Sequence, residues 1–336
     1  MKFATVGAGW IVDAFIAATK VVDPPLEHAA VYSFNQAEAD AFAARHGVSQ
    51  IYTDLDALGS SDVDAVYVAN PNALHYPTAK KLLEHGKNVL CEKTSVVTSA
   101  QLQQLYDIAD RNGVVFLEAI KSLYSPQAVQ LTQALEKLGT VHYAKFDFCR
   151  FSSKYPAFMA GERPNIFNPA FAAGGLMDMG IYCVYPAVYF FGLPTRVNAD
   201  AVFLSTGADV SGSALLGYGD LQVEISWSKG ATSGHDSVIM GDRGTLHIDT
   251  MEYFGDSWID FTDGTREQVI SWDPAIHSMQ YEAALLASLV GDREEFNPTY
   301  QAMRTCTRAT ISLMERIRSQ AGIYFPESCY AVHDLS

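Results

Sequence analysis

The first third of the chain alternates short apolar runs with amphipathic stretches. Short apolar runs bounded by polar turns predict strands that are covered on both faces, as in a parallel sheet. The stretches between them carry apolar residues three and four positions apart, and several end at a glycine, which is typical of helices and their C-caps. The predicted strands are 3–6, 29–33, 65–69, 88–91 and 114–117, and the predicted helices are 11–20, 37–46, 77–85 and 99–112. This order predicts a doubly wound α/β domain with a parallel sheet.

The pattern changes after residue 123. A stretch in which β-branched or aromatic residues alternate with polar ones runs from 196 to 272 and is punctuated by glycine turns, which predicts an open, mostly antiparallel sheet. Around it we predict helices at 127–138, 176–191 and 279–320, a strand at 141–151 and an irregular segment at 155–175. A chain of 336 residues exceeds what one core usually serves. We therefore expect two domains, an α/β domain at 1–123 and an α+β domain at 124–336.

Composition narrows the class of protein. Apolar side chains make up 49% and charged ones 18%, which is typical of a globular chain. The formal charge is 23 − 38 = −15, so we expect neither a nucleic acid nor an anionic membrane as partner. An odd number of cysteines without a close pair indicates neither a disulfide framework nor a metal site. No uncharged apolar stretch reaches the roughly 20 residues of a membrane span, so a cytoplasmic protein is expected.

A glycine turn follows the first predicted strand. Gly7 and Gly9 stand where the strand leads into a helix, so Gly7 allows a tight turn and Gly9 lets the backbone approach a pyrophosphate at the helix N-terminus. Val12 occupies the third glycine position of the dinucleotide fingerprint. The position of the turn in a strand-turn-helix predicts NAD or NADP binding, with Trp10 and Ile11 also at the cofactor.

The end of the second strand bears on the choice between NAD and NADP. An acidic residue there binds the ribose hydroxyl of NAD, and an arginine binds the 2′-phosphate of NADP. The sequence has neither at this point, and Ser33 or Asn35 is able to bond either group. Because no carboxylate is visible to repel a phosphate, the sequence favours NADP slightly.

Three further motifs occur in a fixed order. Residues 69–77 read Ala-Asn-Pro-Asn-Ala-Leu-His-Tyr-Pro, residues 86–93 read Gly-Lys-Asn-Val-Leu-Cys-Glu-Lys, and residues 174–182 read Gly-Gly-Leu-Met-Asp-Met-Gly-Ile-Tyr. With the glycine turn, they resemble the glucose-fructose oxidoreductase/inositol dehydrogenase/rhizopine-catabolism family, most of all its dimeric dihydrodiol dehydrogenase and D-xylose dehydrogenase branch. The resemblance implies a Rossmann domain followed by a domain with an open, mostly antiparallel sheet.

The resemblance also implies positions around the nicotinamide. Glu92 and Lys93 would stand at the ring itself, and the residues that would border the ring and its ribose are Asn70, Pro71, Asn72 and His75. Family members normally have a proline after the Glu-Lys pair, where this chain has Thr94. Because a cis bond before a non-proline residue costs several kcal/mol, we expect a trans bond here, which leaves the placing of Lys93 open.

Hydride transfer from a carbinol requires a group that removes the hydroxyl proton. Lys93 is a candidate, since burial and a positive nicotinamide would lower its pKa, although Glu92 would act the other way. Asp178 and Tyr182 are four apart at the start of an apolar helix, so they lie on one face and predict a substrate pocket. The alternative is that Asp178 caps the helix while Tyr182 packs in the core. Which of Lys93 and Tyr182 is the acid/base stays open.

Three cations are candidate substrate ligands. Lys121 follows the last predicted strand of the first domain, a usual place for groups that face a ligand. Arg150 lies on the next strand and Arg163 in the irregular segment. The alternative for each is an ordinary surface residue or ion pair.

The sequence thus predicts an NAD(P)-dependent oxidoreductase that acts on a sugar, polyol, diol or related carbonyl, a small-molecule substrate. The alternative is a cofactor-binding sensor that has kept the fold and lost turnover. We also expect a homodimer formed through the C-terminal sheet, whose open face is predicted to carry Val223, Ile225 and Trp227.

Overall fold

The computed structural model describes residues 1–332, except for the side chains of Arg293, Glu295 and Phe296. The described chain forms two compact units. The first contains Met1–Ile120, His277–Thr305 and 330–332, and the second contains Lys121–Ile276 and Cys306–Cys329. The segment His277–Thr305 therefore belongs to the first unit, although it falls within the range predicted for the second domain. The domain limits 1–123 and 124–336 themselves stay a prediction.

The first unit contains a six-stranded parallel sheet with the strand order β3-β2-β1-β4-β5-β6. Numbered in chain order, its strands are β1 (Lys2–Val6), β2 (Glu27–Tyr32), β3 (Gln50–Tyr52), β4 (Ala65–Val68), β5 (Asn88–Glu92) and β6 (Phe116–Ala119). Its helices are α1 (Trp10–Thr19), α2 (Gln36–His46), α3 (Leu55–Gly59), α4 (Asn72–Glu84), α5 (Ser99–Asn112) and α9 (Gln280–Gly291). This is the order of a Rossmann domain, so the predicted fold class is confirmed.

The ends of these helices follow local sequence signals. Asn35 caps α2 by accepting a hydrogen bond from the backbone of Glu38, and Thr98 and Gln101 form a capping box at α5. The predicted start of α4 was wrong, because the helix begins at Asn72 and carries Pro77 inside it. The sequence analysis also missed β3 and α3, which are too short to show a periodic pattern.

Aromatic side chains form the centre of the first unit's core. Phe15 of α1 stacks on Tyr67 of β4, with 3.9 Å between ring centroids, and Phe3 of β1 packs edge-on against Phe15. Side chains of α9, among them Ala283 and Leu286, join the same cluster and are buried. Burial of this apolar surface explains why the late helix belongs to the first unit.

The second unit contains an eight-stranded sheet with the strand order β14-β13-β12-β11-β7-β10-β9-β8. Strands β7 and β10 pair in parallel, and the other neighbours are antiparallel. The strands are β7 (Val141–Cys149), β8 (Arg196–Phe203), β9 (Asp209–Gly217), β10 (Gln222–Ser228), β11 (Ser237–Gly241), β12 (Gly244–Ile248), β13 (Ser257–Phe261) and β14 (Arg266–Ile270). The predicted mostly antiparallel sheet is confirmed.

The helices of the second unit differ in detail from the prediction. They are α6 (Pro126–Leu135), α7 (Tyr155–Met159) and α8 (Ile181–Phe191), and a π-helical turn, Leu176–Gly180, leads directly into α8. The single predicted helix at 279–320 is two helices, α9 and α10 (Arg293–Ala321), and the residues of α10 after Thr305 belong to this unit. Asp292 alone separates them, a local break that the apolar periodicity does not reveal.

The predicted outward position of Val223, Ile225 and Trp227 was wrong. All three are almost fully buried, and the ring of Trp227 lies against Gly180 at the end of the π-helical turn. Glu224 and Ser226, which alternate with them, are only partly buried. Alternation along a strand defines two faces, but the helical layer decides which face it covers.

The segment Pro169–Phe191 is long and apolar enough to cross a membrane by length and composition. In the second unit, 89% of its most apolar window is buried. The segment therefore packs as a core helix of this unit.

Candidate active site

The glycine turn after β1 is fixed by a close backbone contact. Gly7 has a φ of 105°, and a Cβ at this position would lie 2.7 Å from the carbonyl oxygen of Ala69, after β4. The amide of Gly7 donates a 3.1 Å hydrogen bond to the carbonyl of Tyr32, at the end of β2. Gly7 is therefore required for the turn, because it allows β1 to end against both neighbouring strands.

The start of α1 fits a phosphate group. Among the described residues, no side chain caps this N-terminus, and a Cβ placed on Gly9 would have no described atom within 4 Å. Protein packing thus leaves the helix end accessible to a ligand, and its amide groups and dipole favour an anion. Trp10 follows with 75% of its surface exposed, and Ile11 is partly buried. The predicted cofactor-binding positions fit a dinucleotide pyrophosphate here.

The end of β2 carries a carboxylate that the sequence analysis missed. Ser33 is buried, and its hydroxyl donates a hydrogen bond to Glu38 in the first turn of α2. Asn35 uses its side-chain oxygen to cap α2, and its backbone amide donates to the Ser33 hydroxyl at 3.2 Å. Phe34 lies between them with 82% of its surface exposed. The spacing Asn-x-x-Glu was a usable signal, because it is typical of a helix start whose fourth residue reaches back.

A buried polar group marks the end of β4. The amide nitrogen of Asn70 donates to Thr78 at 3.0 Å, while its buried oxygen accepts no hydrogen bond from the described protein atoms. Pro71 is the N-cap of α4, and Asn72 is its first residue, without a side-chain cap. A buried acceptor and an uncapped helix start at one strand end fit a polar ligand such as a nicotinamide ribose.

His75 is held neutral inside the first unit. Its Nδ1 lies 3.0 Å from the carbonyl oxygen of Thr94, and the side chain is fully buried. Burial lowers the pKa of His75 to about 4, and the nearby Lys93 cation also lowers it, against an opposing effect of the bond to Thr94. At neutral pH, His75 is therefore an uncharged imidazole that supports the backbone after Lys93.

Glu92 and Lys93 stand at the end of β5. Tyr67 donates a 2.6 Å hydrogen bond to the Glu92 carboxylate, which also accepts one from the amide of Lys93. The Lys93–Thr94 peptide bond is cis, so the expectation of a trans bond was wrong. Buried contacts hold the backbone on this side, with Thr94 bonded to His75 and the amide of Ser95 donating to the buried Glu118.

The sheet order brings these predicted cofactor residues to one edge of the first unit. Strands β1 and β4 are neighbours although helices and strands separate them in sequence, so the strand order reverses between them. Ligands of open α/β sheets bind at such a point, outside the carboxyl ends of the strands. The predicted cofactor residues all lie at or after the carboxyl ends of β1, β2, β4 and β5.

In the second unit, Asp178 and Tyr182 straddle the change from π- to α-helix. Asp178 belongs to the π-helical turn and Tyr182 to the first turn of α8, where it is 8% exposed. The Tyr182 ring packs edge-on against Phe148 at 5.3 Å. The alternative in which Asp178 caps the helix is wrong, since Gly175 is the N-cap and no side chain caps it. Single π-turns inside helices are frequent at functional sites.

Asp209 fixes the backbone just before this turn. Its carboxylate is fully buried and accepts hydrogen bonds from the amide of Leu176 at 2.7 Å and from the indole of Trp227 at 2.9 Å. A Cβ at Gly174 would lie 2.0 Å from the same carboxylate, and this residue has a φ of 156°. Burial raises the pKa of Asp209, against these hydrogen bonds. The paired glycines of the motif are therefore required by close packing.

The ammonium group of Lys229 forms an ion pair with the carboxylate of Asp178. Lys229 directly follows β10 and is 5% exposed. The sequence analysis missed it. The available signal was a lysine at the end of an alternating strand that otherwise shows no basic residue.

Two of the three predicted substrate cations share one carboxylate. Lys121 lies 2.7 Å and Arg150 2.8 Å from the two oxygens of Glu252. Both cations lower the pKa of Glu252, against the opposing effect of its burial. Arg163 lies elsewhere in the second unit, in a pocket lined also by Phe158, Asn168 and Thr206. The substrate role of all three stays a prediction.

Comparison with known protein families follows the same division of the chain. A family described as oxidoreductases with an NAD-binding Rossmann fold matches residues 1–120, and the GFO/IDH/MocA C-terminal domain matches residues 128–247. These two matches cover most of the chain. The chain belongs to the GFO/IDH/MocA oxidoreductase family. This confirms the family that the ordered motifs indicated.

Individual members of the GFO/IDH/MocA family match over most of their length. The chain is similar to the NADP⁺-dependent scyllo-inositol 2-dehydrogenase of Bacillus subtilis, with 37% identity over 97% of this chain and 98% of the relative. It is also similar to a trans-1,2-dihydrobenzene-1,2-diol dehydrogenase of Xenopus tropicalis, with 29% identity over 74% of each chain. A 3-ketoreductase from Actinomadura kijaniata, solved with NADP and TDP-benzene, shares the fold with a TM-score of 0.83, 23% identity and coverage of 97% and 99%.

Protonation of His75 should destabilise the protein in acid. Its folded-state pKa of about 4 lies below the ordinary value of 6.5, so the unfolded chain binds a proton that the folded one does not. The stabilisation is complete above pH 6.5 and is lost as the pH falls towards 4, by up to about 1.4 kcal/mol per pH unit. We expect His75→Asn to reduce this slope, as measured by urea unfolding between pH 4 and 7. His142→Asn, at an exposed histidine, is the control, and equal slopes for His75→Asn and wild type would contradict the assignment.

Proposed function

We propose that this protein oxidises a secondary hydroxyl of a polyol or sugar, or reduces the corresponding carbonyl, with NAD(P) as hydride carrier. The observation that carries the proposal is the 37% identity over 97% of the chain with an NADP⁺-dependent scyllo-inositol 2-dehydrogenase. The relatives named here are dehydrogenases or reductases, which favours an enzyme over a silent sensor. The uncapped start of α1 and the buried acceptor of Asn70 support cofactor binding by this chain's own residues.

The residues divide into two groups by role. A bound nicotinamide would supply hydride transfer, from the carbinol carbon in oxidation and to the carbonyl carbon in reduction. In the first unit, Asn70 and His75 are proposed to shape its environment, and Lys93 stands at the end of β5. In the second unit, Asp178 is proposed to accept a hydrogen bond from a substrate hydroxyl. Lys93 and Tyr182 are the two candidates for the group that takes the hydroxyl proton during oxidation and gives it back during reduction.

The first test is turnover. Purified protein with NAD⁺ or NADP⁺ and a panel of inositols, sugars and vicinal diols should produce reduced nicotinamide, seen as absorbance at its near-ultraviolet band. We expect whichever of Lys93→Ala and Tyr182→Phe removes the acid/base to lower kcat by roughly 100-fold or more, since a positioned acid/base contributes about 10²–10⁴-fold. Cofactor affinity should stay within a few-fold for Tyr182→Phe. Full activity of both variants would refute the site.

Cofactor preference is proposed to be decided at the end of β2. The relatives described as NADP⁺-dependent support the slight preference for NADP drawn from the sequence. The Glu38 carboxylate, held by Ser33, opposes it, because a carboxylate repels a 2′-phosphate and accepts a bond from a ribose hydroxyl. Ser33, Asn35 and Glu38 are thus proposed to act together on the adenosine ribose.

The effect of Glu38 on the preference between NAD⁺ and NADP⁺ is measurable. We expect Glu38→Gln to raise the affinity for NADP⁺ relative to NAD⁺ by about 10-fold, because it removes a charge from the ribose site. Dissociation constants from calorimetry with each cofactor give the ratio directly. Glu84→Gln, at an exposed glutamate paired with Lys80 on α4, is the matched control. An unchanged ratio in Glu38→Gln would place the discrimination elsewhere.

We further propose a homodimer, in a cytoplasmic setting, formed through the outward face of the second unit's sheet. In one register across four strands, Leu215, Glu224, Lys145 and Val238 lie side by side on this face. Leu215 is 37% exposed, and Met240, farther along β11, is 39% exposed. Charged residues flanked by apolar ones fit a second copy of the same face, because opposite charges can then pair across a twofold axis.

Introducing negative charges at the apolar positions of this face should dissociate such a dimer. We expect wild type to be dimeric at micromolar concentration in light scattering, and Leu215→Glu with Met240→Glu to be monomeric with secondary structure retained. Val129→Glu, at an exposed valine of α6, is the control. A monomeric wild type would remove the proposal.

A further inference from the structure

Lys229 places a buried cation beside the turn that carries Asp178. Only 6% of its side chain is exposed, against 26% for the side chain of Asp178. The carboxylate is therefore the member of the pair that a dissolved molecule reaches, while the ammonium group lies behind it.

The backbone at Lys229 is fixed on two sides. Its amide donates a 2.7 Å hydrogen bond to the carbonyl of Val210 on β9, and its carbonyl accepts a 2.9 Å bond from the amide of Ser152, just after β7. The hydroxyl of Ser228 accepts bonds from the amides of Gly230 and Ala231, which closes the following turn. The backbone that carries the Lys229 side chain is thus fixed by hydrogen bonds, which limits the positions that its ammonium group can reach.

Lys121 and Glu252, whose side chains are 12% and 16% exposed, form another mostly buried pair in this unit, whereas two other lysine pairs lie near its surface. The partners Lys137 and Glu267 are 47% and 42% exposed, and Lys145 and Glu224 are 36% and 33% exposed. Exposed pairs of this kind are screened by water and constrain their carboxylates weakly. Burial of an ammonium group is costly unless a partner compensates it, so the Lys229–Asp178 pair holds its carboxylate far more firmly.

We propose that Lys229 is a positioning residue for substrate binding: its buried ammonium group fixes the carboxylate of Asp178, which accepts a hydrogen bond from a hydroxyl of a polyol substrate. This inference rests on the proposed function, because it assigns the ion pair to the binding of that substrate. Lys229 acts through Asp178 and does not touch the substrate.

A positioning role and a merely structural one give different kinetics. Lys229→Met keeps the length and apolar stem of the side chain and removes its charge. We expect this variant to raise KM for the polyol by roughly 10-fold or more with kcat within about threefold, since the lost interaction is made equally in the ground state and the transition state. The dissociation constant for the cofactor alone should not change. Lys229→Arg should recover most of the affinity, and Lys137→Met, the control from an exposed pair, should behave as wild type.

The pair can be tested as a unit with a double-mutant cycle. If Lys229 acts through Asp178, Lys229→Met combined with Asp178→Asn will raise KM no more than Asp178→Asn alone. Additive effects, a wild-type KM in Lys229→Met, or equal losses with arginine and methionine at this position would each overturn the proposal. Should Lys229→Met fail to fold, Lys229→Arg is combined with Asp178→Asn instead. If Lys229 acts through Asp178, this double variant has the KM of Asp178→Asn, and additive effects on KM would overturn the proposal.

Failure of the proposed function gives a different result. A wild-type protein without turnover on any polyol refutes the function, while turnover with an unaffected Lys229→Met refutes only the role of Lys229. In the first case, calorimetric titration of scyllo-inositol into the protein with NADP⁺ still compares the variants, and equal binding by wild type and Lys229→Met would end the proposal.

Discussion

The contact between Gly7 and the carbonyl of Ala69 is the constraint on which the first unit's site depends. A Cβ at Gly7 would lie 2.7 Å from that carbonyl, so a side chain cannot be accommodated where the turn after β1 meets the reversal of strand order. The uncapped start of α1 therefore lies at the same sheet edge as Asn70, after β4, and Glu92, at the end of β5. The phosphate, ribose and nicotinamide positions of a dinucleotide need these ends to be neighbours, and the parallel sheet supplies that without any long-range recognition between side chains.

In the second unit, a buried carboxylate fixes the backbone of the candidate site. Asp209 accepts hydrogen bonds from the amide of Leu176 and the indole of Trp227 at once, so its carboxylate joins the π-helical turn to strand β10. The cost is a carboxylate buried in a low-dielectric core, which is why burial raises its pKa. The result is a fixed backbone for Asp178, in the π-helical turn, and for Tyr182, in the first turn of α8. Preorganised groups of this kind lose little entropy when a substrate binds.

Several charged or titratable side chains of the described chain are likewise fixed by specific contacts. In the second unit, Lys121 and Arg150 both contact the Glu252 carboxylate, and Lys229 pairs with Asp178. In the first unit, His75 is kept neutral by burial and supports Thr94 beside Lys93. The buried Lys229 is thus held in a defined ion pair, because a buried charge is costly unless a partner compensates it.

The sequence by itself determined the class of each unit, because the strand and helix periods, the glycine turn and the helix caps act over a few residues. It also placed Gly7, Asn70, Lys93, Asp178 and Tyr182 in ordered motifs, and so predicted the family and most of the candidate site. Only the tertiary structure decided the rest. The cis bond before Thr94, the partner of Asp178, the carboxylate of Glu38 beside Ser33 and the covered face of Trp227 all depend on packing. Local patterns carry no information about which distant side chain fills a given contact, and these features are set by such contacts.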